Sequence, residues 1–132
     1  GVGMAVSLTG VDQTTPLDAN DTTVTENADS VTSTVVTVAD NSWIVDVVNL
    51  ASSQTLAVAS GQTQRQNVDI TQNSYGMSTK GAVTPAGSTN VIWNDSGEAG
   101  TPDWAHVAAS FKPSGGAAVT TLSPLLLMGV GM

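Results

Sequence analysis

The sequence predicts an all-β protein built as an antiparallel β-sandwich, with about seven or eight short strands and minimal helix. Apolar and polar residues alternate with a period of two along most of the chain, which is the pattern of strands that bury one face. Val and Thr are plentiful, and their branched side chains favour strands over helices. No segment keeps a helical apolar period between capping residues, so we expect no long helix.

Eight segments carry the strand pattern and are separated by turn-forming residues. They are residues 3–9, 31–38, 43–50, 56–59, 62–70, 74–80, 88–93 and 103–112. Residues 10–30 and 94–103 are predicted as long loops, because Pro, Gly, Asp and Asn are frequent in them. The turn signal at residues 40–42 is short enough to join the second and third strands into a hairpin.

The side chains of two segments predict where each strand lies in a sheet. Residues 62–70 are mostly polar, which favours an edge or solvent-facing strand anchored only by Val68 and Ile70. Residues 103–112 carry small side chains on both faces of the strand, which suits a central strand with layers above and below.

The chain has 132 residues, enough for one domain, which we place at residues 1–113. Residues 114–132 are predicted as a Gly-rich linker and an apolar segment shorter than the ~20 residues of a membrane-spanning helix, so we expect no membrane span. This segment has three interpretations: a closing core strand, the opening of an anchoring or sorting tail, or a strand donated to a neighbouring subunit. The start at Gly1, without a signal peptide, suggests a processed or truncated chain.

Charge and composition exclude several kinds of partner and site. Three basic residues against eleven acidic ones give a net charge of −8, which repels phosphate backbones and anionic lipid. We therefore predict no nucleic-acid binding. The chain contains no cysteine, so it can form no disulfide, thiolate metal site or cysteine nucleophile.

The sequence contains no recognisable catalytic set. His106 is the single histidine, it lies in a predicted strand, and no G-x-S-x-G motif supplies a nucleophile for it. Glycosidases built on sandwiches use paired carboxylates, whereas the two glutamates here, Glu26 and Glu98, lie far apart in predicted loops. We predict that the protein is not an enzyme.

Two acidic stretches are candidates for cation binding. One contains Asp18 and Asp21, and the other contains Asp95 and Glu98. Calcium suits them best, because it takes oxygen ligands from carboxylates and carbonyls in loops. Neither stretch matches the D-x-D-x-D-G calcium loop, so we expect no resident cofactor and keep calcium as the cation to test.

Aromatic side chains are candidates for a sugar-binding platform. Trp43 and Trp93 lie in phase with valines or follow one, and both are predicted in the core. Trp104 shares a strand face with His106 and is the best candidate for exposure. Together with Tyr75, these two residues form the candidate glycan-binding set.

Three stretches resemble parts of a known group of domains. GVDQTTPLD (residues 10–18), NSWIVDVV (41–48) and DWAHVAASFKP (103–113) are similar to segments of jelly-roll-like or concanavalin-like β-sandwich domains in bacterial and phage-associated surface proteins. The similarity spans about residues 3–113 and transfers no catalytic set. Such domains carry further strands before the one that begins at Gly3, so the resemblance implies a sandwich that is incomplete at its amino-terminal side and has an open edge.

The leading functional hypothesis is a non-enzymatic, extracellular structural protein at the cell surface, a subunit of a filament or sheath completed by strand exchange between chains. An unpaired strand edge accepts another strand through main-chain hydrogen bonds. The candidate donor is the apolar tail, with the assembly residues Leu122, Leu125, Leu126, Leu127 and Met128. The alternative is a lectin-like carbohydrate-binding module assisted by calcium. The first hypothesis predicts a second copy or a neighbouring chain as partner, and the second predicts a glycan.

Overall fold

The computed structural model describes residues 2–95 and 102–115 and contains eight strands over these residues. The strands are β1 (Leu17–Thr25), β2 (Ser30–Val36), β3 (Ser42–Leu50), β4 (Leu56–Val58), β5 (Thr63–Ile70), β6 (Asn73–Val83), β7 (Ser88–Asp95) and β8 (Trp104–Phe111). No helix occurs in this part of the chain, and so none that could cross a membrane. The predicted all-β fold is confirmed.

The strands form two antiparallel sheets. The larger sheet has the order β1-β8-β3-β6-β5, and the smaller has the order β2-β7-β4. All six pairings are antiparallel. The inner faces of the two sheets meet, and apolar residues from both fill the space between them, so the molecule is an antiparallel β-sandwich.

The core contains two apolar clusters between the sheets. The first consists of Val31, Val48, Leu50, Leu56, Trp93 and Trp104, and the second of Val35, Ile44, Val91 and Ala108. Gly76 makes room for the indole ring of Trp93, because a Cβ atom at this position would lie 2.5 Å from a ring carbon. The predicted core position of Trp93 is confirmed.

Trp43 is not a core residue, contrary to the prediction. In β3 the even-numbered residues from 42 to 50 are buried, and the indole of Trp43 lies on the opposite face with 38% of its surface exposed. Apolar residues occur on both faces of β3, so alternation could not indicate which face turns inward. The partner sheet decides this, because it covers only one side.

Two segments differ from their predicted secondary structure. Residues 3–9 form no strand although they alternate, and β1 lies within the predicted loop of residues 10–30. Asp18 and Asp21, which are turn-forming residues of that stretch, lie in the edge strand β1, and their carboxylates accept N–H groups from residues 34 and 38, in and just after β2. Local propensity therefore yields to contacts between strands.

The hairpin predicted around residues 40–42 is also wrong. β2 pairs with β7, whereas β3 pairs with β6 and β8, so the connection between β2 and β3 crosses from one sheet to the other. Two positions in the sheet are confirmed: β5 is an edge strand, and β8 is central between β1 and β3. The predicted layer on each face of β8 is wrong, because the smaller sheet covers only one face and Val107 on the other is 45% exposed. The domain boundary at residue 113 stays a prediction.

Candidate functional site

A buried carboxyl group lies between the two sheets. Asp46, on β3, is 1% exposed and accepts one hydrogen bond from the neighbouring strand of its own sheet and one from the facing sheet. Its Oδ1 accepts the indole Nε1–H of Trp93 at 2.6 Å, and its Oδ2 accepts the hydroxyl of Ser78 at 2.5 Å. Since Trp93 belongs to the smaller sheet and Asp46 to the larger one, this contact ties the sheets together by a polar bond.

The single histidine lies beside the same carboxyl group. His106 is 1% exposed, and its Nε2 is 3.4 Å from Oδ1 of Asp46, while neither ring nitrogen makes a hydrogen bond within the described structure. The hydroxyl of Ser78 donates to Asp46 and not to the imidazole. A Ser-His-Asp hydrolase needs the serine bonded to the histidine, so this trio has no activated nucleophile in the arrangement seen.

Sequence reasoning did not single out this cluster. The available signal was Asp46, a charged residue in phase with Ile44 and Val48 in an otherwise apolar strand. Buried charged groups are rare unless they are paired, so a carboxylate on the apolar face of a strand predicts buried hydrogen-bond donors opposite it. The partners themselves could not be named from the sequence, because they lie on three other strands.

The predicted glycan-binding residues do not form one surface. Trp104 is 1% exposed, and its indole Nε1–H donates to the carbonyl oxygen of Ala28 at 2.7 Å, so its predicted exposure is wrong. The physical reason is the position of β8, whose face bearing Trp104 and His106 lies against the smaller sheet. Tyr75 is half-buried on the opposite face of the larger sheet, beside Val47 and Val107.

The first pair of predicted cation ligands is bonded to the protein itself. The Oδ2 of Asp21 accepts the backbone N–H of Thr34 at 2.8 Å, and the Oδ2 of Asp18 accepts the N–H of Val38 at 3.0 Å. Thr34 lies in β2, and Val38 follows the end of β2 by two residues. Two carboxylates from β1 therefore accept main-chain N–H groups in and just after β2.

The second pair of predicted cation ligands is only partly described. Asp95 is the last residue of β7, and Glu98 lies outside the described residues. Among residues 2–95 and 102–115, no group of three or more His, Asp or Glu side chains is placed to hold a metal ion.

The connection before β1 contains an acidic turn with a shifted pKa. The Oδ1 of Asp12 accepts the backbone N–H groups of Thr15 at 2.9 Å and Thr14 at 2.8 Å. These hydrogen bonds favour the ionised carboxylate, with a smaller contribution from Lys112, and they lower the pKa of Asp12 from its usual value. This turn fixes the point at which the preceding segment joins the sandwich.

The two sides of the sandwich differ in how their strand edges are covered. On one side, β1 and β2 lie side by side, joined by the two Asp contacts and by the hydroxyl of Ser33, which donates to Thr23. On the other side, the smaller sheet ends in β4, which has three residues, while the larger sheet ends in β5, which has eight. One long edge, that of β5, thus has no strand paired to it in the described structure.

The edge strand β5 is nearly all exposed. Every residue except Val68 is exposed, and β6 is its single strand partner among the described residues. The side-chain amide of Asn67 donates to the carbonyl oxygen of Leu56 on β4 at 3.1 Å, which is a contact between side chain and backbone and leaves the β5 main chain open. A bulge at Arg65 interrupts its pairing with β6, a feature typical of edge strands.

The assembly residues Leu122, Leu125, Leu126, Leu127 and Met128 lie outside the described residues. No protein-family profile, curated protein or solved structure matches this chain. The strand order and the core define the chain as an antiparallel β-sandwich. A function is therefore assigned from the exposed surfaces and edges of this sandwich.

Proposed function

We propose that the protein is an extracellular structural subunit that assembles into a surface filament or sheath by strand exchange between chains. The observation that supports this proposal is the free edge of β5, eight residues long and exposed. An edge of this kind presents a row of unpaired N–H and C=O groups, to which a strand of another chain can bond.

The asymmetry between the two sides of the sandwich supports the choice of edge. Next to the edge of β2, Asp21 accepts the N–H of Thr34 and Asp18 accepts the N–H of Val38, two residues after the strand, so β1 partly covers this edge. β4 has three residues, too few for a stable ladder with an added strand. β5 is long enough for such a ladder and lacks a carboxylate cover.

The donor in this proposal is the apolar tail of a neighbouring copy, residues 122–128. In strand addition, main-chain hydrogen bonds supply the affinity and alternate side chains supply the specificity. A tail containing three consecutive leucines gives an apolar side chain to either face of the strand it would form. The proposal assigns the chain no catalytic role and no resident cofactor.

Negative-stain imaging and light scattering of the full chain test the proposal. The unaltered chain should form ordered polymers. The double variant Gln66→Lys/Val68→Lys should remain monomeric, since lysines on the edge of β5 oppose pairing with another strand. The matched variant Ser30→Lys/Thr32→Lys, on exposed positions of β2, should still polymerise.

The donor is tested separately by the variants Leu126→Asp and Ser123→Asp. The first puts a charge among the apolar tail residues and should abolish assembly, whereas the second changes a polar residue and should not. A stable, folded monomer of the unaltered chain at high concentration would contradict the proposal. Polymers that survive both Leu126→Asp and the β5 variant would contradict it as well.

A further inference from the structure

We propose that His106 and Asp46 form a buried ion pair, in which a proton held by His106 stabilises the contact between the two sheets. Release of this proton as the pH rises destabilises the sandwich. The two residues lie on the central strands β8 and β3, away from the edge of β5. This inference therefore goes beyond the proposed function and does not depend on it.

Asp46 is arranged as an ionised carboxylate. Its Oδ1 accepts the indole Nε1–H of Trp93, a group that can only donate, and its Oδ2 accepts the hydroxyl of Ser78. A donor on each oxygen favours the charged form of a carboxyl group. Since 1% of the residue's surface is exposed, this charge has almost no access to water and needs a partner of opposite sign in the core.

The chain has three basic residues, and each of them is engaged elsewhere. Arg65 donates to a hydroxyl group of β6, and Lys80 donates to a main-chain carbonyl oxygen of β7. Lys112 follows β8, beside the acidic turn that precedes β1. His106 is therefore the group that can supply the positive charge, because its Nε2 is 3.4 Å from Oδ1 of the buried carboxylate.

Two strands flank His106 within the larger sheet. On β3, Val48 lies opposite His106, and Asp46 is the next residue on the same face. On β1, Thr23 lies opposite His106, and Asp21 is the next residue on that face. The carboxylate of Asp21, like that of Asp18 further along β1, accepts an N–H group in or just after β2.

The strands packed across the core bring no cation to this environment. The inward residues of β2 are apolar or carry a hydroxyl group. On β7 the inward residues are Val91 and Trp93, and Asp95 lies in phase with them at the end of the strand. β6 contributes the hydroxyl of Ser78. Over the described residues, the charged groups on the elements around His106 are thus carboxylates, and each of them favours the protonated imidazole.

The expected pH dependence follows from the two ends of the folding equilibrium. Burial by itself favours a neutral imidazole, but a neutral His106 leaves the charge of Asp46 buried and uncompensated, which costs more than the pair. The unfolded chain has no such partner and releases the histidine proton at lower pH. Over the interval between the two, the folded state binds more protons, so stability falls as the pH rises through it. Below this interval the stabilisation is fully present.

Nitrogen-15 NMR of the labelled full chain, in solution or as solid polymer, tests the pair directly. The chain has one histidine, so its two ring nitrogens are observed without overlap. At about pH 7, where an ordinary histidine is largely neutral, we expect both ring nitrogens of folded His106 to carry a proton. In urea at the same pH, the ring should be largely neutral. A folded protein with one unprotonated ring nitrogen would overturn the proposal.

Two conservative variants identify the counter-charge. Asp46→Asn removes the charge at nearly constant size and should leave one ring nitrogen unprotonated at this pH. Asp21→Asn, on the neighbouring strand, is the matched variant and should leave both ring signals of His106 as they are in the unaltered chain. Two protonated nitrogens in Asp46→Asn would contradict the proposal. If Asp46→Asn does not fold, the spectrum of the unaltered chain decides.

Urea titrations at about pH 6 and about pH 8 test the effect on stability, since histidine is the side chain that ordinarily changes charge in this range. The urea midpoint of the unaltered chain should fall as the pH rises. His106→Gln keeps a neutral donor near Asp46 and should show no such fall. An equal fall in both proteins, or none in the unaltered chain, would show that the proton on His106 does not stabilise the sandwich.

Discussion

At the scale of single residues, the buried carboxyl group of Asp46 is an acceptor for two donors inside the sandwich. Its two oxygens accept hydrogen bonds from Trp93 and Ser78, and His106 lies beside it. A buried donor that loses its acceptor costs about 1–3 kcal/mol, and removal of this one carboxyl group takes the acceptor away from both Trp93 and Ser78.

We expect Asp46→Ala to destabilise the fold strongly, by about 1–3 kcal/mol for each buried donor left without a partner. The free energy of unfolding from urea titration, followed by circular dichroism, measures this. Asp29→Ala, at an exposed position before β2, should change stability by less than about 0.5 kcal/mol. Equal stabilities for the two variants would show that the carboxyl group is not the polar tie between the sheets.

At the scale of elements, β1 and β2 are joined without pairing to each other as a ladder. β1 belongs to the larger sheet and β2 to the smaller, and carboxylates of β1 accept the N–H of Thr34 in β2 and the N–H of Val38 just after it. This arrangement closes one side of the sandwich and leaves β5 as the accessible edge on the other. The same two acidic residues that the sequence offered as cation ligands therefore have a structural role here.

We expect Asp21→Ala to free the backbone N–H of Thr34 and to speed its hydrogen exchange, because the acceptor 2.8 Å away is removed. A hydrogen bond to a charged acceptor contributes about 1.5–3 kcal/mol, which sets the upper size of the stability loss. Amide exchange followed by NMR is the measurement. Glu26→Ala, exposed in the turn after β1, is the matched variant and should leave the Thr34 amide protected. Unchanged protection in Asp21→Ala would refute the capping role.

At the scale of the whole molecule, the three tryptophans report on how the sheets are stacked. Trp93 and Trp104 are buried between the sheets, whereas Trp43 is 38% exposed on the outer face. The indoles between the sheets are thus enclosed, whereas the indole on the outer face of the larger sheet is accessible to solutes.

We expect acrylamide to quench the fluorescence of the folded protein mainly through Trp43. The variant Trp43→Phe should retain emission that acrylamide hardly quenches, because the two remaining indoles are enclosed. In denaturant, the residual tryptophans of the variant should become fully accessible. Trp104→Phe is the comparison, and it should leave the quenchable component in place. If Trp43→Phe stayed as quenchable as the unaltered chain, the inner and outer faces would be wrongly assigned.

The success of the sequence-based predictions depended on whether a feature is local. The polar character of residues 62–70 indicated an edge or solvent-facing strand, and the small residues of 103–112 indicated a central one, since each pattern reflects the strand's own surroundings. The hairpin was wrong because a short turn signal is compatible with either a return in one sheet or a crossing to the other. The predicted exposure of Trp104 was wrong because the pattern of β8 could not indicate which of its two faces the other sheet covers.

The sequence by itself determined that the chain is made of strands, because alternation is a pattern of a few neighbouring residues. Composition alone determined that the chain has no thiol chemistry and that its charge disfavours nucleic acid. The tertiary structure alone decided which strands share a sheet, which face of β3 is buried and which edge remains open. Those properties arise from contacts between residues far apart in the chain, as when Asp46 of β3 meets Trp93 of β7 and His106 of β8. A periodic pattern specifies that a strand has two faces, and only packing against the other sheet decides which one is the inside.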